Sequence, residues 1–293
     1  MPSLKDLRNR IDTVKSTRKI TQAMKMVAAS KLKKAQNVAE KGRNYSAGIE
    51  DIVKKLIQSE EFLNHPLIGG SKDNSNKKTL IIVVSSDRGL CGGLNTNIIK
   101  KSRFLIKKLT EQNKNITIIC IGKKGYDALY THNKESFSFP IKCLEISDVN
   151  YVDIQNMGDN IIDEFKNGNF DECYVLYNFF KSVISQEVKE EKLLPYEKTN
   201  YRVSESDNEV FFDFEPNVED VLSKILPKNF VVQIYKSVLE SKASEQGARM
   251  TAMDNATRNA GEMIDNLSLR YNRQRQAMIT KELIEIISGA EAL

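Results

Sequence analysis

Proline is missing from a long stretch near each end of this chain. There is none between Ser3 and Gln58, where the glycines, Gly42 and Gly48, come late. There is again none from Lys228 onward, where the glycines are Gly247, Gly261 and Gly289. Proline and glycine are the residues that break helices, so these absences predict two unusually long ones. At ~1.5 Å per residue they would reach roughly 80 Å and roughly 90–100 Å, against a mean of ~11–12 residues for a globular helix. Other absences narrow the function. The longest strongly apolar run is Leu80–Val84, far short of the ~20 residues of a membrane-spanning helix. Charge begins at Lys5, which leaves no room for the apolar centre of a secretory signal, and a bacterial cytosol is the simplest expected address. The two histidines (His65, His132) and four cysteines (Cys91, Cys120, Cys143, Cys173) form no CxxC pair and no metal or triad spacing. The thiols therefore read as buried and reduced, and neither a metal site, a cofactor nor a Cys/His triad built on these residues is expected.

What is present is a 293-residue chain, 40% hydrophobic and 28% charged, the balance of a folded water-soluble protein rather than a disordered one. The net charge of +5 is unevenly placed. Residues 1–43 carry twelve Lys/Arg against three Asp/Glu, whereas residues 236–293 carry eight of each sign. A basic helix either presents a solvated face or faces an acidic partner, whether nucleic acid, anionic lipid or protein.

Both ends carry a seam of apolar residues spaced three and four apart. At the N-terminus it runs through Leu4, Leu7, Ile11 and Val14, resumes with Ala28, Leu32, Ala35 and Ala39, and continues through Ile49, Val53 and Leu56. Between these stretches the seam positions are Arg18, Thr21 and Lys25, and Ile20, Met24 and Val27 offer a different stripe. A change of apolar face, and hence of neighbour, is expected there. The C-terminal seam is Val232, Tyr235, Leu239, Met250, Met253, Ala260, Ile264, Leu267, Tyr271 and Met278, and residues 243–261 are crowded with small side chains. Each glycine costs ~1 kcal/mol of helix propensity, a loss that a close helical partner offsets. Two seams in one chain predict an intramolecular antiparallel coiled coil. The C-terminus itself, after Lys281, is apolar where termini are ordinarily polar, which suggests insertion into a sleeve made by other subunits.

The middle reads differently. A polar linker at Gly69–Lys78 precedes a buried strand, Thr79–Ser85, and the glycine-rich Ser86–Asn95. Helices are expected at 96–109, 123–130 and 152–165, and strands at 116–121, 141–146 and 173–177. Segments 187–194 and 209–214 read as edge strands around a loop at 200–208. Alternating strands and helices imply a mainly parallel, wound, Rossmann-like sheet. The loop Gly89-Leu-Cys-Gly-Gly lacks both the GK[ST] of a P-loop and the GxGxxG of a dinucleotide site. It reads as a tight turn in which Asp87 and Arg88 pair locally, and Cys91 has no histidine near it in sequence to make it a nucleophile.

Four stretches together are specific: Lys19–Leu32 (KITQAMKMVAASKL), Ser85–Asn95 (SSDRGLCGGLN), Ala243–Met253 (ASEQGARMTAM), and Tyr271–Leu283 (YNRQRQAMITKEL) with Ile287–Ala290. In order and position they resemble the gamma subunits of F-type ATP synthases, over essentially the whole chain. The resemblance implies an α/β fold plus a long antiparallel coiled coil. The N- and C-terminal helices (1–68 and 215–293) would form a shaft, and a Rossmann-like domain (69–214) a foot. It implies a non-catalytic rotor stalk, turned by an ion-driven c ring, that drives the catalytic sites of a hexameric head of alpha and beta subunits. The foot would sit beside the epsilon subunit and the c ring, and the protein would be peripheral on the cytoplasmic side of a bacterial membrane. By motif, Met24, Lys25, Arg249, Arg275, Gln276 and Thr280 would contact beta subunits. Ile287 and Ala290 would turn in a hydrophobic bearing, and Phe214 and Glu215 would face the c ring. The chain lacks the cysteine-bearing insertion of photosynthetic members, so thiol regulation is not expected. Two other classes remain as alternatives on the residues alone: a nucleic-acid-binding coiled coil using the basic helix, against which the lack of aromatics before Tyr45 counts, and a nucleotide-dependent enzyme using the Gly89–Gly93 loop.

Overall fold

The computed structural model describes residues 3–58, 67–69, 77–131, 136, 143–147, 149–196 and 218–291. In chain order the elements are α1 (Leu4–Gln58), β1 (Lys78–Val84), α2 (Leu94–Glu111), β2 (Asn115–Ile121), α3 (Lys123–Tyr130), β3 (Cys143–Leu144), α4 (Tyr151–Lys166), β4 (Glu172–Phe180), β5 (Gln186–Leu194) and α5 (Val218–Glu291). By packing they form two compact units, residues 31–248 and residues 1–30 with 249–293.

The larger unit is built on a five-stranded sheet of order β3-β2-β1-β4-β5. β1 pairs in parallel with β2 and β4, β2 in parallel with β3, and β5 lies antiparallel on β4. This is the wound sheet with an edge strand near 187–194 that the alternation predicted. The expected strand at 141–146 shrinks to Cys143–Leu144, and residues 141–142, the 209–214 strand and the 200–208 loop lie outside the described residues. β1 is buried on every residue after Lys78, and apolar from Leu80 on, because both of its faces are covered. Leu80, Ile82 and Val84 pack with Val53 and Leu56 of α1, Ile154 and Met157 of α4, and Leu222, Leu226 and Phe230 of α5. Ile81 and Val83 pack with Ile98 and Leu105 of α2 and Leu129 of α3.

Local chemistry fixes where the elements begin. Ser3 and Asp6 cap α1 reciprocally, at 3.1 and 3.2 Å, and Asn150 and Asp153 do the same for α4 at 3.0 Å. Gly122 opens α3 with φ +109, and a Cβ there would lie 2.1 Å from the Ser85 carbonyl oxygen. The Ser85 hydroxyl donates to the Gly122 carbonyl (3.0 Å) and accepts the Gly125 N–H (2.8 Å), which locks the end of β1 to α3.

The C-terminal helix starts ten residues before Lys228, the start that the missing prolines suggested, and runs through Pro227. An interior proline costs ~3 kcal/mol or more. Fully burying a Leu or Phe returns ~1.5–3 kcal/mol each, and Leu222, Leu226 and Phe230 are all within 1% of complete burial. Packing outweighs propensity. Residues 229–234 are buried on every side of the helix, as befits a rod enclosed between a sheet and a second helix.

In the smaller unit α1 and α5 run antiparallel, as the two seams predicted. Thr21 meets Thr257, Lys25 meets Asp254, and Gly261 lies against the Arg18 guanidinium. Leu7, Ile11, Thr21 and Ala28 are buried on α1, and Met253 and Ala260 on α5.

Candidate functional surfaces

The glycine loop after β1 is a closed turn. The Ser86 N–H and hydroxyl both bond the Asn95 side chain, the hydroxyl also donates to the Arg88 carbonyl, and the Asn95 amide reaches Cys91 Sγ at 3.3 Å. The sequence reading of Asp87 needs correction. Its carboxylate accepts the backbone N–H groups of Lys123, Ile146 and Ser147 at 2.8–3.1 Å, and no ion pair joins it to Arg88 among the described residues. Burial pushes this carboxyl up, but the Ser147, Lys123 and Ile146 donors outweigh it and hold Asp87 below the usual carboxylate range. Cys91 is buried against Leu94 and Ala248 of α5. In an open α/β sheet a ligand sits outside the C-terminal strand ends at the point where the strand order reverses. Here that point lies between β1 and β4, and α5 covers it, with Ser241 and Ser244 bonded to the backbone of Asn178.

The small residues of α5 therefore serve two neighbours, where the sequence suggested only a narrow rod. Ala243, Ser244, Gly247 and Ala248 are buried in the sheet-bearing unit, and a Cβ on Gly247 would stand 3.0 Å from the Phe180 ring. Among the small residues of α5 that lie in the helix pair, Ala260 is buried and Ala252, Ala256 and Gly261 are half-buried.

The expected change of seam between Arg18 and Lys25 does not occur. The register continues through 21 and 25, with Arg18 exposed: Thr21 is 9% exposed and Lys25 half-buried, while Ile20 and Val27 are 60% and 56% exposed. Polar side chains can hold the seam because α5 supplies partners. The Thr257 hydroxyl lies 2.8 Å from that of Thr21, and Lys25 Nζ lies 2.6 Å from Asp254. The lysine's hydrogen bond and charge lower the Asp254 pKa. Both partners remain solvent-accessible, so the pair sets register more than stability. Of the second stripe, Ile20 and Val27 face outward beside Met26, while Met24 is half-buried.

Of the other residues singled out by motif, Met24 and Arg249 are half-buried on the helix pair, and Arg275, Gln276 and Thr280 are exposed, with the Thr280 hydroxyl turned back to the Gln276 carbonyl. The contacts at 21–257 and 25–254 set a register that brings Leu4 level with about residue 275. Residues 276–291 thus extend roughly 24 Å beyond the end of α1. On this single helix Met278, Ile279, Leu283, Ile284, Ile286 and Ile287 are 44–68% exposed, and Ala290 is exposed too. Exposed apolar surface on this scale marks an interaction site. Phe214 and Glu215, like His65 and His132, lie outside the described residues.

Two buried charge clusters carried no sequence signal, because their members are far apart in the chain. Glu172, 6% exposed, sits among Lys114 (2.6 Å), Lys192 (3.6 Å) and Lys77 (3.7 Å). Arg43 of α1 pairs with Glu240 of α5, which is completely buried.

A closed glycine loop, a strand-order reversal covered by the chain's own helix, and apolar surface displayed on a projecting rod define a stalk built to engage other proteins. No described helix is long and apolar enough to cross a membrane. A profile of the family described as ATP synthase matches residues 3–293. The ATP synthase gamma chain of Pelagibacter ubique is 49% identical over 296 residues, and that of Rhodospirillum rubrum 47% over 302, each covering 100% of both chains. The fold is similar to a chain of the Tetrahymena thermophila mitochondrial ATP synthase central stalk and c ring (TM-score 0.59, 28% identity, 81% of this chain and 99% of that one). It is also similar in fold to a chain of the Euglena gracilis mitochondrial enzyme (TM-score 0.65, 19% identity, 99% and 94%). The chain belongs to the ATP synthase gamma-chain family. It is a non-catalytic subunit of the central stalk of the rotary F1 complex.

Proposed function

We propose that this chain is the driven shaft of a bacterial F-type ATP synthase, with residues 1–68 and 215–293 as shaft and 69–214 as foot. Alpha and beta subunits surround the paired helices, and the foot meets the epsilon subunit and the c ring. Ion flow turns the ring and the foot with it, and the shaft carries the beta sites through their binding states. The observation that supports this most is the projecting end of α5, whose isoleucines are left exposed among the described residues and suit an apolar sleeve. Ile287 and Ala290 are the bearing residues. Arg275, Gln276 and Thr280 make polar contacts just below them, and Met24, Lys25 and Arg249 meet beta subunits lower down, beside the outward stripe of Ile20 and Val27. The basic surface of residues 1–43 suits an acidic beta-subunit segment. Phe214 and Glu215 face the c ring, which would hold the protein at the cytoplasmic face of the membrane without a span of its own.

A rotor must avoid deep wells, because one charge crossing 100 mV releases only ~2.3 kcal/mol. Exposed, singly charged side chains along the helix pair meet that condition. The test is a complex of this chain with alpha and beta subunits, with a bead fixed to the foot. ATP hydrolysis accompanied by bead rotation is expected; hydrolysis at the full rate with a stationary bead would overturn the reading. The isolated chain should hydrolyse no ATP.

A further inference from the structure

β4 is longer than its central neighbour. β1 follows it from Thr79↔Glu172 to Val83↔Leu176 and stops, while β5 continues on the other edge to Phe180↔Gln186. Among the described residues, the backbone groups of Asn178 and Phe180 that point toward the vacated edge have no strand to bond, and a buried strand edge must be satisfied by something. Side chains of the two long helices take them. The Asn178 N–H donates to Ser241 Oγ (3.2 Å), and the Ser244 hydroxyl to the Asn178 carbonyl (2.9 Å). The Phe180 N–H donates to Glu240 Oε2 (3.0 Å), and Arg43 Nη2 to the Phe180 carbonyl (2.8 Å).

Arg43 closes the arrangement. Its guanidinium grips Glu240 through Nε and Nη2, the latter at 2.7 Å, and lies 4.7 Å over the Phe179 ring. One ion pair, fully buried on the Glu240 side, thus touches α1, α5 and β4 together. Beyond such local bonds, much of this interface is apolar, through Leu222, Leu226, Phe230 and Val231, and apolar contact is non-directional, so it resists separation better than twist or slide. A bidentate charge pair has a fixed geometry and cannot rotate without breaking.

We propose that Arg43 and Glu240, clamped on the unpaired end of β4, form the torque joint of this subunit, passing twist between the sheet and both long helices. This rests on the rotor reading above. Arg43 and Glu240 are positioning residues: neither lies near a nucleotide, and they act through the stiffness of the rotor. Losing the joint lets the helices lag the sheet under load, so ATP hydrolysis and ion pumping part company.

The experiment uses the whole enzyme in inverted membrane vesicles, with three versions of this chain: unmodified, Arg43→Lys, and the double variant Arg43→Met/Glu240→Gln. The lysine keeps the charge and loses the two-point grip. The double variant leaves no buried charge unpaired and keeps an acceptor for the Phe180 N–H, so it guards against simple misfolding. The measured quantities are subunit content, ATP hydrolysis per assembled complex, and ions pumped per ATP against a rising gradient. Both variants should assemble and hydrolyse at near the unmodified rate, while ions pumped per ATP fall by about fivefold at high gradient, the factor expected for roughly one lost net hydrogen bond. An unchanged ratio in assembled complexes, or a loss of assembly in which the surviving complexes couple normally, would reduce the pair to a structural role and overturn the proposal. Failure of the rotor reading is distinguishable, since the unmodified chain would then neither assemble nor couple.

Discussion

Replacing Glu172 by glutamine separates the charge of the buried cluster from its shape. The carboxylate is 7% exposed at its side chain, Lys114 and Lys77 are each 10% exposed, and Lys192 is 22% exposed. Burial pushes this carboxyl up, but the hydrogen bond and charge of Lys114, with Lys192 and Lys77, outweigh it and hold Glu172 below its ordinary value of 4.5. A depressed carboxylate contributes stability that is fully present above the unfolded value and is lost as pH falls through the folded one. Removing one member of a buried pair costs ~3–5 kcal/mol when the partner is sealed in. Here the lysine heads keep some access to water, so about 1–3 kcal/mol is the better expectation. Glu172→Gln should therefore destabilise the sheet by about 1–3 kcal/mol near pH 7. The difference should shrink below pH 4.5 and vanish once the wild-type carboxyl is protonated. Hydrogen exchange of the β1, β2 and β4 amides under denaturant reads this locally. Lys114→Met in the glutamine background should restore part of the loss, as a coupled pair requires. Wild-type and Glu172→Gln stabilities differing by the same amount at every pH would refute the reasoning.

Gly122→Ala forces a methyl group toward the Ser85 carbonyl at a positive φ, and a loss of more than about 3 kcal/mol should appear as a large fall in the denaturation midpoint. Thr21→Val and Thr257→Val should each cost about 0.5–1 kcal/mol, since each removes the seam bond while the remaining hydroxyl keeps its own carbonyl, Arg18 for Thr21 and Met253 for Thr257, and the double variant should cost little more than either; additive losses in a double-mutant cycle would count against the seam bond. Ile284→Ser with Ile287→Ser should leave the stability of the isolated chain within about 0.5 kcal/mol, since both are exposed, yet weaken binding to alpha–beta complexes in a sedimentation assay. Pro227→Ala should stabilise α5 by about 1–3 kcal/mol, and thermal melting would reveal any loss instead.

Much of the fold was legible because its signals are local. Breaker-free ends marked the two rods, three-and-four spacing named the residues from Leu7 to Leu56 that face α5, and apolar runs located β1, β2 and β4. The absence of proline alone puts the start of α5 at Lys228, ten residues late, since propensity is a local quantity and the burial of Leu222, Leu226 and Phe230 is not. The proposed change of seam at Arg18–Lys25 failed for the same kind of reason. A threonine or lysine reads as a break in an apolar stripe until the opposite helix is seen to offer Thr257 and Asp254. The apolar end of α5 was visible in sequence; that it projects past α1 and stays exposed among the described residues was not.

The sequence by itself determined the element types, the paired rods, the wound sheet and, through four motifs, the family. These follow from periodicity and residue chemistry within a few tens of positions. Only the tertiary structure decided which polar groups meet. Arg43 lies 197 positions from Glu240, and Lys114 lies 58 from Glu172; no periodicity joins such pairs, because loop closure and packing set their approach. The same holds for the glycine loop. Its composition left a phosphate cradle open as a reading until α5 was found packed across the strand ends where a ligand would sit.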